Sequence, residues 1–139
     1  MVVVGRSNEP DAASQPQTIL IVEDEIFIRL ALADDLAEAG FCIFQAAGAE
    51  EALQVLQSSL PIDVMITDIR MPGALDGLEL AMRARTAWPE LRILLLSGNL
   101  ADLPPGVLAD ALIAKPYNPT ALIAQIRQLL NGAERCRAT

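Results

Sequence analysis

The sequence contains no histidine, and its only two cysteines, Cys42 and Cys136, lie far apart in unlike surroundings. Without histidine, neither a Ser-His-Asp triad nor a Cys-His pair can be built. The usual histidine and cysteine ligands of a zinc site are missing too, and two isolated cysteines do not predict a disulfide framework. Hydrolases of these types, zinc proteins and disulfide-rich scaffolds are therefore disfavoured.

Positive charge and long apolar runs are also scarce. The chain has 10 basic and 18 acidic residues, giving a formal net charge of −8. A sequence-independent grip on nucleic acid needs clustered Lys and Arg, so we expect no direct nucleic-acid binding. No run approaches the roughly 20 apolar residues that span a bilayer, and the N-terminus lacks the regions of a signal peptide. We expect a soluble, cytoplasmic protein without membrane insertion.

What the chain does contain is an apolar fraction of 53% over 139 residues, enough for one hydrophobic core. Residues 1–16 are polar and without periodicity, which predicts a flexible N-terminal tail. Residues 132–139 predict a shorter C-terminal tail. The segment 17–131 between them is predicted to be a single domain.

Within this domain, short apolar runs predict strands, and runs with helical spacing predict helices. We expect strands at 18–22, 41–46, 62–67, 93–96 and 112–114. Helices are expected at 26–39, 50–56, 76–87 and 118–130, with a loop or short helix around Pro104-Pro105. Strands joined through helices run parallel. The sequence therefore predicts an α/β fold with a doubly wound, five-stranded parallel sheet.

Polar side chains stand at the carboxyl ends of four of these strands. Glu23 and Asp24 follow the first, Asp68 follows the third, Ser97 follows the fourth and Lys115 follows the fifth. In doubly wound folds, ligands bind beyond the carboxyl ends of the strands. Crowded carboxylates repel each other unless a cation holds them, and Mg²⁺ takes carboxylates together with phosphate oxygens. The set predicts a site for a divalent cation and a phosphoryl group.

Each of these residues also has an ordinary structural explanation. Asp24 alone is explained equally well as a cap of the following helix. A lone lysine at a strand end, such as Lys115, is more commonly just solvated, and Ser97 can be a helix cap. Asp76 is interpreted as the N-cap of its helix, without a chemical role. The ordered combination, rather than any single residue, favours a site.

The motifs Glu23-Asp24, Asp68-x-x-Met-Pro, Ser97-Gly98 and Lys115-Pro116, in this order, resemble the receiver domain of two-component response regulators. The resemblance covers residues 17–131 and implies a flavodoxin-like (βα)5 fold with strand order 2-1-3-4-5. It implies that Asp68 accepts a phosphoryl group from a phosphohistidine on a histidine kinase or histidine phosphotransfer protein. The protein would promote only its own phosphorylation and dephosphorylation, and is not expected to be an enzyme otherwise.

The resemblance also implies the roles of the other residues. Asp24 and Asp68 would bind Mg²⁺ directly, Glu23 would bind it through water, and the backbone carbonyl of Arg70 would complete the protein ligands. Lys115 and Ser97 would hold the acyl phosphate. The Lys115–Pro116 peptide would be cis. Such chemistry relies on positioning and charge neutralisation.

The stretch after Ser97 departs from the family pattern. The position three residues before the lysine is usually aromatic, but here it is Leu112. The interval from Ser97 to Lys115 is several residues shorter than usual and contains Pro104-Pro105. We expect a shortened or irregular fourth helix, and a switch that uses the loop after Ser97 or repacking around Leu112.

Several functions compete for this sequence. No output segment follows residue 131, so we expect a stand-alone receiver that signals by altered protein–protein interaction or onward phosphotransfer. The main alternative is a receiver-like interaction module that no longer needs phosphate. A flavin or nucleotide binder is disfavoured because Glu23-Asp24-Glu25 replaces the glycine-rich phosphate cradle. A phosphohydrolase is disfavoured because no second acid is identified as a general base.

Overall fold

The computed structural model describes residues 3–4, 16–99, 103, 106 and 109–138. The strands are β1 (Val3–Val4), β2 (Thr18–Val22), β3 (Cys42–Ala46), β4 (Val64–Asp68), β5 (Arg92–Ser97) and β6 (Ala111–Ala114). The helices are α1 (Ile26–Glu38), α2 (Ala49–Gln57), α3 (Gly77–Ala87) and α4 (Pro119–Ala138). None of the described helices combines the length and the hydropathy needed to cross a bilayer.

Strands β2 to β6 form a parallel sheet in the order β3-β2-β4-β5-β6. Counted along these five strands the order is 2-1-3-4-5, so the predicted topology is confirmed. The register places Val22 beside Thr67, and Asp68 beside Leu96. The strand order reverses between β2 and β4, so the carboxyl ends of these two strands flank the ligand crevice that such sheets offer.

The core lies in two layers, one on each face of the sheet. Leu20 and Met65 belong to the layer that α2 and α3 complete, whereas Ile19 and Ile66 belong to the layer that α1 and α4 complete. Every residue of β2 and β4 is buried. Burial of both faces explains why these strands are apolar without alternation.

Two segments predicted as tails contain regular structure, which corrects that prediction. Val3–Val4 pairs antiparallel with Ile43 and Phe44 at the edge of β3. A two-residue strand has no periodicity that sequence analysis can detect. At the other end, α4 continues past Gly132 to Ala138. A glycine inside a helix costs only about 1 kcal/mol, so Gly132 does not end the helix. The rest of the predicted tails, residues 1–2, 5–15 and 139, lies outside the described residues.

The segment between β5 and β6 is described at six residues only. Its described residues, 98, 99, 103, 106, 109 and 110, are not helical. Four helices are described in the chain where the pattern predicts five. The predicted loop or short helix around Pro104-Pro105 itself lies outside the described residues.

The amino ends of the strands carry a compact ion-pair cluster. Asp110 forms salt bridges with Arg85 of α3 and Arg92 of β5, and its Oδ2 accepts the Ile93 N–H at 2.8 Å. Trp88 lies at the C-terminus of α3 and lines an open cavity beneath this edge. These groups connect α3 with β5 and with the residue that precedes β6. They lie at the amino ends of the strands, whereas Asp68 lies at the carboxyl ends.

Candidate functional site

Glu23, Asp24 and Asp68 come together at the carboxyl ends of β2 and β4. The register pairs Val22 with Thr67, so Glu23 and Asp68 follow neighbouring positions of adjacent strands. One carboxylate oxygen from each of the three acids lies within 4.8 Å of the others. Glu23 and Asp68 are buried, whereas Asp24 is exposed. The structure thus brings the three predicted acids into one cluster.

This crowding is electrostatically unfavourable for the chain alone. Burial, followed by hydrogen bonding to Asp68, raises the pKa of Glu23 to about 7, although the Glu25 N–H donates to its Oε2 at 3.2 Å and lowers it. Burial and then the charges of Glu23 and Asp68 also raise the pKa of the Tyr117 phenol. A hard divalent cation with oxygen ligands offsets such repulsion, and Mg²⁺ commonly takes one or two carboxylates with waters. The donor set fits Mg²⁺.

Lys115 directly follows β6, and its side chain reaches the same acids. Its Nζ forms a salt bridge with Asp68 Oδ1 and lies 3.7 Å from Glu23 Oε1. The Lys115 N–H donates to the Ser97 carbonyl at 2.7 Å, which fixes the lysine backbone beside the end of β5. The Lys115–Pro116 peptide is cis, as the resemblance implied. The ammonium is therefore placed to neutralise oxygens bound to Asp68.

Ser97 ends β5, next to the strand that carries Asp68. The preceding residue, Leu96, is the register partner of Asp68, and Ser97 is buried. Its Oγ accepts the Asn99 N–H at 3.1 Å, which stabilises the turn that leaves β5. A hydroxyl oxygen that accepts in this way still carries a hydrogen to donate. The structural role and the predicted contact with a phosphoryl oxygen are thus compatible.

The backbone of Asp68 is held by the start of α3. The Gly77 N–H donates to the Ile69 carbonyl at 2.8 Å and closes the loop between β4 and α3. A Cβ at Gly77 would lie 1.5 Å from the Asp68 carbonyl oxygen, so only glycine fits. Thr67 Oγ1 donates to that carbonyl oxygen at 2.9 Å. Arg70 lies in the closed loop, and its backbone carbonyl as a metal ligand stays a prediction.

Sequence reasoning missed three residues that shape the site, namely Gly77, Arg29 and Gln45. Gly77 holds α3 against the Asp68 carbonyl, and Arg29 hydrogen-bonds both to the Glu23 carbonyl and to Gln45. One signal was available for this pair, because Gln45 is a polar residue inside an otherwise apolar strand. A buried amide of this kind requires a partner.

Solved structures share this architecture. A response regulator receiver protein from Sinorhizobium medicae is 30% identical with a TM-score of 0.79, over 86% of this chain and 98% of that one. The response regulator protein TrrA from Thermotoga maritima, solved in complex with Mg²⁺ and BeF, is 35% identical with a TM-score of 0.73. That match covers 81% of this chain and 98% of TrrA.

Curated relatives extend the comparison. The probable transcriptional regulator ycf27 of Cyanophora paradoxa is 37% identical over 120 residues, which are 84% of this chain and 49% of that protein. The transcriptional regulatory protein AfsQ1 of Streptomyces coelicolor is 34% identical over 122 residues, 85% of this chain and 53% of that protein. The chain spans about half the length of these relatives. The profile of the response regulator receiver domain matches residues 19–127, and the chain belongs to that family.

Proposed function

We propose that this protein is a phosphoacceptor in a two-component phosphorelay, with Asp68 as the residue that takes the phosphoryl group. The observation that carries the proposal is the convergence of Glu23, Asp24 and Lys115 on Asp68. Family membership supports a receiver role. The complex of TrrA with Mg²⁺ and BeF supports Mg²⁺ as the cation.

In the proposed step, an Asp68 carboxylate oxygen attacks the phosphorus of a phosphohistidine on the donor. The P–O bond forms as the P–N bond breaks, and the histidine nitrogen keeps the electron pair. Asp24 and Asp68 directly, and Glu23 through water, would hold Mg²⁺, which would neutralise charge on the phosphoryl oxygens. Lys115 and the Ser97 hydroxyl contact those oxygens in the product. The chain thus promotes only its own phosphorylation and dephosphorylation.

The surface beside the site supports a protein as the donor. Helix α1 begins two residues after Asp24 and leaves Ile26, Phe27 and Leu30 exposed, with 79% of Phe27 accessible to solvent. Exposed apolar side chains grouped in this way are typical of a protein contact. The donor in this proposal is a histidine kinase or histidine phosphotransfer protein that covers the first turn of α1.

The proposed output is an altered protein–protein interaction or onward phosphotransfer, in the cytoplasm. The curated relatives are transcriptional regulators about twice as long as the matched region. The net charge of −8 argues against direct nucleic-acid binding by this chain of 139 residues. Phosphorylation adds charge of about −1.5 to −2, enough to reorder a neighbouring loop.

A phosphorylation-independent interaction module is the second candidate. Leu112 favours it, because this residue replaces the usual aromatic and is 45% exposed on β6. The cluster of three acids favours the phosphoacceptor. Mutual repulsion makes such a cluster destabilising, and an interaction module that does not bind phosphate does not require it.

Exposure to a small acyl phosphate with Mg²⁺ separates the two candidates. We expect intact mass spectrometry to show one added phosphoryl group on the wild type and none on Asp68→Asn. Asp76→Asn is the matched control. Asp76 is the predicted N-cap of α3, its Oδ1 accepts the Glu79 N–H at 2.9 Å, and asparagine caps equally well. A wild type that gains no mass, or an Asp68→Asn variant that still gains it, supports the interaction module.

A phosphorylated histidine phosphotransfer protein tests the donor surface. Phe27→Ser should slow transfer from this protein about tenfold while leaving uptake from the small acyl phosphate unchanged, since removing one buried aromatic contact costs about 1–2 kcal/mol. Met82→Ser on α3, where Met82 is also exposed, is the control. Equal transfer rates for wild type and Phe27→Ser would contradict docking on α1.

A further inference from the structure

We infer that Arg29 is a positioning residue that fixes the acidic loop after β2 before a cation binds. It holds the Glu23 backbone against β3, so that the carboxylates of Glu23 and Asp24 stay next to Asp68. This inference rests on the proposed function, because it assigns Arg29 a role in cation binding at the same site.

The guanidinium of Arg29 bridges two groups outside its own helix. Its Nη1 donates to the Glu23 carbonyl at 2.8 Å, and its Nε donates to Gln45 Oε1 at 3.2 Å. Arg29 is half-buried, while Gln45 is only 4% exposed. Charge-assisted hydrogen bonds with a fixed fork of donors set geometry as well as energy. One side chain therefore joins α1, the residue that follows β2 and the carboxyl-terminal part of β3.

The backbone of Glu23 is held at both its N–H and its carbonyl group. The Glu23 N–H donates to the Ala46 carbonyl at 3.1 Å, and the Glu23 carbonyl accepts from Arg29. Ala46 and Gln45 are consecutive residues of β3, so both anchors of the acidic loop end on one strand. The loop is thereby tied to the sheet just before Asp24, where repulsion from Asp68 would otherwise push it away.

Helix formation does not explain an arginine at this position. Arg29 lies in the first turn of α1, where its N–H bonds to the Glu25 carbonyl. A cation there is disfavoured by the helix dipole. The helix has no acidic residue in its first turn and no side-chain hydrogen bond at its N-cap, Glu25. The contacts with Glu23 and Gln45 account for the residue instead.

Two possible roles of Arg29 predict opposite changes in cation affinity. If Arg29 acts only as a nearby positive charge, removing it strengthens the binding of a divalent cation by Coulomb's law. If it positions the ligands, removing it weakens binding. Loss of a group that orients metal ligands typically costs 10–100-fold in metal affinity. The sign of the change decides between the roles.

Calorimetric titration of the chelator-treated protein with Mg²⁺ alone measures this sign. We expect Arg29→Met to raise the dissociation constant at least about tenfold. Arg29→Lys should recover only part of the loss, because one ammonium cannot reach both acceptors. Arg83→Met is the matched control, since Arg83 is a half-exposed arginine of α3 that pairs with Glu79 at 3.9 Å. The dissociation constant of Arg83→Met for Mg²⁺ should equal that of the wild type.

Gln45→Leu provides a second variant that keeps Arg29. It removes one of the two acceptors and should weaken Mg²⁺ binding by a smaller factor than Arg29→Met does. The double variant should bind no more weakly than Arg29→Met, because Gln45 acts through Arg29. If Arg29→Met does not fold, as judged by thermal unfolding without metal, Gln45→Leu decides the question alone.

The outcomes separate this inference from the proposed function. If the wild type binds no Mg²⁺, both are overturned. If the wild type binds Mg²⁺ and takes up a phosphoryl group, but Arg29→Met binds Mg²⁺ equally or more tightly, only the positioning role is overturned. If Arg29→Met binds Mg²⁺ more weakly and Arg29→Lys restores the affinity fully, the bridge between two acceptors is overturned, because a single ammonium would then suffice.

Discussion

Charge is balanced differently at the two ends of the sheet. At the carboxyl ends, three carboxylates cluster and one ammonium, that of Lys115, contacts two of them. At the amino ends, one carboxylate, that of Asp110, contacts the two guanidinium groups of Arg85 and Arg92. Within these contacts, acids outnumber the base at the carboxyl ends, and bases outnumber the acid at the amino ends.

This difference distinguishes a binding site from a structural anchor. Ionised carboxylates in excess repel one another, and a cation from outside the chain relieves that repulsion. Asp110, in contrast, is satisfied within the chain, because it also accepts the Ile93 N–H, and its own N–H donates to the Ile93 carbonyl at 2.8 Å. The single acid of the amino-end cluster is thus paired by groups of the chain, whereas the three acids at the carboxyl ends share one lysine.

The largest expected effect comes from breaking the carboxyl end with Gly77→Ala. The new Cβ would lie 1.5 Å from the Asp68 carbonyl oxygen, so α3 or the acceptor loop must move. We expect the free energy of unfolding to fall by about 3 kcal/mol and phosphoryl uptake to be lost. Chemical denaturation and intact mass measure the two effects.

Gly98→Ala is the control for this substitution. Position 98 has open space and no positive φ, so stability should change by less than about 0.5 kcal/mol. A Gly77→Ala variant as stable as Gly98→Ala would contradict the close contact between α3 and Asp68.

The next largest effect comes from breaking the amino end with Asp110→Asn. The side chains of Asp110, Arg85 and Arg92 are 21%, 22% and 31% exposed, between surface and fully buried pairs. We expect a loss of about 2 kcal/mol in unfolding free energy, with phosphoryl uptake retained. Urea denaturation measures the loss. Unchanged stability would contradict the structural role of the amino-end cluster. Lost phosphoryl uptake would contradict its independence from the site at the carboxyl ends.

Mg²⁺ sharpens the comparison without breaking either end. It should bind the folded carboxyl end, and at ten times its dissociation constant it should add about 1.4 kcal/mol to the unfolding free energy. Asp24→Asn should lose most of this gain, whereas Asp110→Asn should keep it. Denaturation with and without MgCl2 measures the gain. Equal stabilisation of Asp24→Asn would place the cation elsewhere.

The smallest expected effect is that of Leu112→Ala, on the edge strand β6. Leu112 is 45% exposed, so we expect a change below about 0.5 kcal/mol and unaltered phosphoryl uptake. Its register partner Leu95 is fully buried, and Leu95→Ala should cost about 2–5 kcal/mol. Denaturation curves of the two variants compare the costs. Lost uptake in Leu112→Ala would give this residue a role in the acceptor chemistry.

The carboxyl end was predictable from the sequence because its residues come directly after apolar strands. Asp68 and Lys115 each stand at the end of a run that only a strand explains, and parallel strands end at one edge. The parallel sheet followed from the same pattern, and its strand order followed from the family resemblance. The roles of Ser97 and Arg70 depend on a bound phosphoryl group or cation and stay predictions.

Contacts between distant elements were not predictable in this way. Arg29 and Gln45 are 16 residues apart, and no periodicity links them. Asp110 pairs with Arg85 across 25 residues, and it lies outside the described helices and strands. The extension of α4 was missed because residues 132–139 were assigned to a tail, and the cost of one helical glycine, about 1 kcal/mol, is easily outweighed in a long helix.

The fluorescence of the single tryptophan, Trp88, can report movements of helix α3, which connects the two ends of the sheet. This helix of 11 residues starts with Gly77 against the Asp68 carbonyl and ends at Trp88, a length of about 16 Å. Trp88 is half-buried against the core at the amino end, beyond contact with a cation at Asp68. A change in its fluorescence on phosphorylation would therefore report displacement of α3, and not quenching at the acceptor.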